Sequence, residues 1–150
     1  MAAPSRTLLS DLPKGHEFSP PPFDLTREYL NAYASATRDS NTVYDETGLA
    51  PPLAVAARAL GALLDEVELP PGSLHTGQEI EMRAGVPRSA KLTLSGRIAQ
   101  RSERGGLIIA VLQFDVTAND GTEPALTGRT TVVMRQEQES QALLRQRLRP

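Results

Sequence analysis

The sequence predicts an α+β fold in which a strongly curved antiparallel sheet wraps one long apolar helix. Three observations carry this expectation. From Leu53 to Leu64 only Arg58 is charged, and the apolar residues run around nearly the whole circumference; a helix apolar on all sides is a buried helix. Everything after His75 reads as strand, with turn signals between the runs. The chain has 150 residues, a length that fits a single domain spanning 1–150 and burying roughly 70% of the surface it exposes when unfolded.

Each element follows from its local pattern. Residues 1–23 are rich in proline and polar groups and end in Ser19-Pro20-Pro21-Pro22-Phe23, so they are expected to be an extended lead-in with one short edge strand around Glu17 and Phe18. Asp24 and Thr26 are capping types, and Tyr29, Leu30, Tyr33 and Thr37 follow at helical spacing, predicting an amphipathic helix from Thr26 to about Arg38. Asp39-Ser40-Asn41-Thr42 breaks it, because short polar side chains compete for backbone hydrogen bonds. Gly48-Leu49-Ala50-Pro51-Pro52 then leads into the apolar helix, proline suiting a first turn whose N–H has no intrahelical partner.

Ile80 and Met82 alternate with Glu79, Glu81 and Arg83, and Leu92, Leu94 and Ile98 alternate with Thr93, Ser95 and Arg97. Leu107 through Val116 is a nearly continuous apolar run, and Thr130 to Met134 is β-branched and apolar. Gly105-Gly106 and Asn119-Asp120-Gly121 mark hairpins between the second and third and the third and fourth of these strands. The expectation is an antiparallel meander with short hairpins. The economical way to cover both an all-apolar helix and a long-stranded sheet is to curl one around the other, the hotdog arrangement; a flat sheet with helices on one face would call for an amphipathic helix. The polar tail, residues 136–150, is expected to be a short surface helix or a frayed end.

Composition narrows the chemistry. The chain has no cysteine and two histidines, which leaves no disulfide, thiolate metal site, cysteine nucleophile or three-histidine centre. A net charge of -2 and a pI near 5.7 argue against nucleic acid as a partner. No stretch approaches the roughly 20 apolar residues that span a bilayer, and the N-terminus has no apolar run followed by a small-residue cleavage site. A cytoplasmic protein without a membrane partner is the expectation.

One segment concentrates polar groups next to the start of the apolar helix. It reads Tyr33-Ala34-Ser35-Ala36-Thr37-Arg38-Asp39-Ser40-Asn41-Thr42-Val43-Tyr44, then Gly48-Leu49-Ala50-Pro51-Pro52. Together with Leu74-His75-Thr76-Gly77-Gln78-Glu79-Ile80-Glu81 and Thr127-Gly128-Arg129-Thr130-Thr131-Val132-Val133, it resembles the MaoC-like hydratase/dehydratase family of the hotdog superfamily, over about Leu12 to Met134. That family's signature places Ala-x-x-Asp-x-Asn-x-x-His before the central helix. The resemblance implies reversible hydration of a trans-2-enoyl thioester to an (R)-3-hydroxyacyl thioester, by an aspartate and a histidine that hold and activate water. It implies no resident cofactor or metal, with a coenzyme A or acyl-carrier thioester as substrate or ligand.

By the same resemblance, Asp39 takes the aspartate position and Asn41 the asparagine position, while the histidine position falls on Tyr44. Gly48, Leu49, Ala50 and Leu53 are the implied substrate-binding residues, at a helix N-terminus whose N–H groups and dipole stabilise a developing enolate oxygen. Tyrosine, with a pKa near 10, is a poor base at neutral pH, whereas histidine near 6.5 is well matched. The leading expectation is therefore a subunit with an incomplete site of its own, in a homodimer or a heterodimer with another hotdog chain. The alternatives are an active homodimeric (R)-specific enoyl-CoA hydratase, a non-enzymatic acyl-CoA binder, and a thioesterase, for which Asp65 and Glu66 fall at the wrong end of the helix.

Other readings of the same residues stand beside these. Asp39 and Asn41 can cap and turn a helix end, and Tyr44 can pack its ring under the central helix with its hydroxyl hydrogen-bonded. His75 reads as structural and His16 as solvated. Arg83, Arg88 and Lys91 either meet the phosphates of coenzyme A or line a solvated strand edge.

Overall fold

In the computed structural model of the chain, which describes residues 6–137 and 146–148, a 3₁₀ turn (Leu9–Asp11) precedes two short strands, β1 (Glu17–Phe18) and β2 (Phe23–Asp24). Three helices follow, α1 (Arg27–Thr37), α2 (Val43–Thr47) and α3 (Pro52–Leu64). The chain then forms β3 (Leu74–Met82), β4 (Lys91–Arg104), β5 (Leu107–Ala118) and β6 (Leu126–Arg135). The six strands make one antiparallel sheet, and α3 lies against its inner face, as the hotdog arrangement requires.

α1 begins and ends where the capping residues place it. The Thr26 hydroxyl accepts the Tyr29 N–H at 3.1 Å, and Arg38 closes the helix in the left-handed region at φ 54. α2 is an addition to the expected turn. The Asn41 carboxamide oxygen accepts the Val43 N–H at 3.1 Å, the Thr42 hydroxyl donates to Glu46 at 3.1 Å, and Gly48 ends the turn at φ 70.

The strand order corrects the meander. β4, β5 and β6 are joined by the two expected hairpins, but β3 pairs with β6, from Leu74↔Val133 to Met82↔Leu126, and not with β4. Residues 83–90 contain no tight-turn pair and instead cross to the far edge past the approach to α3. There the Ala50 N–H donates to the Val86 carbonyl at 2.8 Å and the Arg88 N–H to the Gly48 carbonyl at 2.9 Å. The crossover satisfies backbone groups that a hairpin would have left unpaired.

The lead-in adds its own apolar residues to the core. β1 forms at the expected edge position, but Leu9, Leu12, Phe18 and Phe23 are all at most 8% exposed. The Leu9 N–H donates to the Glu68 carbonyl at 2.9 Å and the Glu68 N–H to the Thr7 carbonyl at 3.0 Å, so the segment is tied to the connection between α3 and β3. The Arg58 guanidinium lies 4.8 Å over the Phe23 ring, a favourable cation–π contact. The 136–150 tail expectation falls mostly outside the described residues.

α3 is covered on one side only. Ala54, Val55, Ala59 and Leu63 are fully buried, and Gly96 on β4 lets Leu63 approach so closely that a Cβ there would meet its Cδ1 at 2.9 Å. Leu53, Ala57, Leu60, Gly61 and Leu64 repeat at helical spacing on the other side, with Leu53 62% exposed and Leu60 and Leu64 half-buried. One six-stranded sheet reaches around about half of a helix, so the apolar remainder stays uncovered in a single chain. Among the described residues no helix is long and apolar enough to cross a membrane.

Tyr29 ties α1 to α3: its hydroxyl donates to the Ala54 carbonyl at 2.7 Å. Burial, reinforced by Tyr33 and opposed by Arg58, holds its pKa above the ordinary 10.0. A raised folded-state pKa means that this contribution is complete below pH 10 and is lost as pH rises through the folded value. Tyr29→Phe is expected to cost about 1 kcal/mol near neutrality. Urea unfolding above pH 10 should then fall less steeply in the variant than in the parent chain.

Candidate functional site

The end of α1, the turn after it and α2 together shape a cleft of about 160 Å³ bordered by Asp39, Asn41, Tyr44, Pro51 and Arg88. The local fold follows from the polar run. Asp39 Oδ1 accepts the Asn41 N–H at 3.0 Å, and Asn41 Oδ1 accepts the Val43 N–H at 3.1 Å. Both side chains therefore build consecutive Asx turns, as the turn-forming reading expects, and both residues line the cleft. The start of α2 then places Tyr44 on the same cleft. Its ring is half-buried, and its hydroxyl has no hydrogen-bond partner among the described residues, contrary to the expectation of a satisfied hydroxyl.

The four residues expected to hold substrate sit elsewhere around α3's approach. Gly48 caps α2, Leu49 pairs with Pro87, Ala50 is buried with its N–H engaged by Val86, and Leu53 lies on the exposed stripe. None of the four borders the Asp39 cleft, which Pro51 reaches instead. The helix N-terminus is also poor in donors. Pro51 and Pro52 have no N–H and the Ala54 N–H turns back to the Pro51 carbonyl at 3.0 Å, so the Leu53 N–H alone is unengaged among residues 50–54.

Arg88 and Asp45 complete the cleft. The Arg88 guanidinium lies 2.6 Å from Asp45 Oδ1, linking the crossover to α2. Sequence reading singled out Arg88 with Arg83 and Lys91, and only Arg88 reaches the cleft. Arg83 pairs with Glu81 at 3.5 Å and Lys91 with Asp24 at 3.8 Å, all four side chains exposed. Its partner Asp45 had no sequence signal, because their meeting depends on the crossover. The His75 ring sits 3.0 Å from the Gly77 carbonyl, and His16, expected to be solvated, is half-buried edge-on to Phe18 at 4.9 Å. Asp65 caps the far end of α3. What the cleft offers chemically is a carboxylate, an amide and a phenol with no partner among the described residues, around a space that holds several waters, with one guanidinium at its rim.

No family model matches the sequence, and no curated protein matches it. Solved structures do. The monoamine oxidase regulatory protein from Archaeoglobus fulgius superposes with a TM-score of 0.76 at 13% identity, over 92% of this chain and 100% of that one. The HadBC (3R-hydroxyacyl-ACP dehydratase) complex from Mycobacterium tuberculosis gives 0.69 at 24% identity, over 83% and 99%. The (R)-hydratase from A. caviae involved in PHA biosynthesis gives 0.63 at 18% identity, over 83% and 98%. At these identities the likeness establishes architecture: the chain has the hotdog fold, and it shares that fold with MaoC-like dehydratases and (R)-hydratases.

Proposed function

We propose that this chain is an acyl-thioester protein of the MaoC-like hydratase/dehydratase type, serving as a subunit of an enoyl-thioester hydratase with an incomplete site of its own. The observation that carries the reading is Tyr44, a phenol beside Asp39 in the cleft where the chemistry needs an imidazole. Hydration adds a hydroxyl to C3 and a proton to C2 of the enoyl thioester. Asp39 can hold the attacking water, but a phenol, protonated at neutral pH, is a poor base for taking its proton. The reaction needs no resident cofactor; a coenzyme A or acyl-carrier thioester is the substrate or ligand, and the cytoplasm is the expected compartment.

Assembly is supported by what one chain leaves uncovered. The Leu53, Leu60 and Leu64 stripe of α3 and the unpaired edge of β3 invite a second hotdog chain, identical or different. The likeness to a chain of the HadBC complex supports a heteromeric version. The test is turnover of crotonyl-CoA and longer enoyl-CoA thioesters by the purified chain, alone and mixed with a hotdog chain carrying an intact Asp-x-Asn-x-x-His run. Negligible turnover alone and gain on mixing are expected. Robust turnover by the pure homo-oligomer, abolished by Asp39→Ala, would refute the reading.

A second reading, an active homodimeric hydratase, is favoured by one fact, that the Tyr44 hydroxyl has no hydrogen-bond partner among the described residues while Tyr44 lines the cleft with Asp39. Tyr44→Phe separates the two: an active enzyme loses rate, and a supporting subunit does not.

A further inference from the structure

Among the described residues the nine-residue strand β3 pairs on one side only, with β6, whereas at the other side of the sheet β4 is capped by β1 and β2. The pleat divides the side chains of this open edge between two faces. Gln78, Ile80 and Met82 match the inward residues Thr130, Gly128 and Leu126, and Gly77, Glu79 and Glu81 lie on the outer face. Resting on the subunit reading above, we propose that Glu79 and Glu81 oppose pairing of this edge with a second copy of the chain and select a different hotdog chain, one whose facing edge strand carries lysine or arginine on its outer side.

Register carries the argument. A two-fold axis that extends the sheet pairs β3 antiparallel with its copy, and like faces meet only if the axis passes at a residue. With the axis at Glu79, that carboxylate faces its own copy; at Ile80, Glu79 faces Glu81 twice; at Glu81, Glu81 faces its own copy. At Gln78 the two Glu79 side chains become diagonal neighbours. Moving the axis further back runs into the irregularity between His75 and Gly77, and moving it further on leaves the strand. Every register of the regular segment thus sets carboxylate against carboxylate. Opposite side chains on one face stand about 4.5–5.5 Å apart, close enough for like charges to oppose the pairing.

Two cations of the chain itself stand near these carboxylates. Arg129 is the register partner of Glu79 on β6 and Arg83 lies 3.5 Å from Glu81, yet Glu79 and Glu81 both remain exposed to an incoming strand. Only the axis at Glu81 brings Arg83 opposite Glu79, and there Glu81 faces itself. The bare stripe of Leu53, Leu60 and Leu64 on α3 buries equally well against any apolar partner. The edge charges discriminate, because they repel one partner and attract another.

The chain itself supplies the probe. Sedimentation velocity is measured on the full chain, on the Glu79→Gln/Glu81→Gln double variant and on the Glu79→Lys/Glu81→Lys double variant, each alone, and on an equimolar mixture of the parent with the lysine variant. The glutamine variant is expected to self-associate at least about threefold more tightly than the parent. The mixture should associate at least about tenfold more tightly than either component alone, with the gain shrinking as salt is raised. A parent that self-associates as tightly as its glutamine variant, or a mixture no tighter than its components, overturns the proposal. If circular dichroism shows the lysine variant to be unfolded, the comparison of parent with glutamine variant decides alone.

Glu79 and Glu81 lie outside the Asp39 cleft, so association that ignores their charge leaves the acyl-thioester reading standing. Charge-selected association without any turnover, when the chain is mixed with a hotdog chain of intact motif, supports the selectivity and removes the subunit reading.

Discussion

Tyr44→His is expected to raise enoyl-thioester hydration by the purified chain by on the order of 10²- to 10⁴-fold, the contribution of a well-matched acid–base group. Three features of the site make a single substitution sufficient. Asp39 borders the same cleft, so one half of the acid–base pair is present. The backbone that carries residue 44 is held at both ends of α2, by the Asn41 side chain at its start and by Gly48 at its close, and by the Arg88–Asp45 ion pair between them. Among the described residues the phenol has no hydrogen bond whose loss would disturb the fold. Loss of enoyl absorbance gives the rate, and a limb in the pH profile near the ordinary histidine pKa of about 6.5 should appear in the variant alone. Asp39→Ala in the same background should remove the gain. A folded Tyr44→His chain as inactive as its parent would show that residue 44 does not occupy the base position.

Phe114→Ala should be the most costly single truncation, lowering unfolding free energy by about 3–5 kcal/mol. Phe114 is 1% exposed and its register partner on β6 is Gly128. The ring fills the space over that glycine so closely that a Cβ at 128 would overlap ring atoms at less than 3 Å. Gly128→Ala alone should therefore cost about 1–3 kcal/mol by overpacking. In a Phe114→Ala background the added methyl enters the vacated space, and its cost should vanish or reverse. Urea denaturation of the two single variants and the double one measures this coupling. Additive costs would mean that ring and glycine do not share the space.

The elements that were legible in the sequence are those whose causes are local. Thr26 caps the helix that follows it, Gly105-Gly106 and Asn119-Asp120-Gly121 turn the chain where they stand, and Glu17 and Phe18 form the expected edge strand. Asp39, Asn41 and Tyr44 reach one cleft because two consecutive Asx turns and the first step of α2 separate them, all within six residues. Misreadings arose where distant partners decide. The proline-rich lead-in carried no sequence sign of burial, yet Leu9, Leu12 and Phe23 become core once the sheet offers them a surface.

What the sequence by itself determined was therefore the set of pieces: an apolar helix, four long strands, two hairpins, and a carboxylate, amide and phenol spaced for one turn. The tertiary structure alone decided how they meet. Periodicity marks which face of a strand is apolar but carries nothing about which strand lies beside it. So β3 joining β6, the crossover that brings Arg88 to Asp45, and the face of α3 left bare all emerge only when backbone hydrogen bonds and packing are satisfied together.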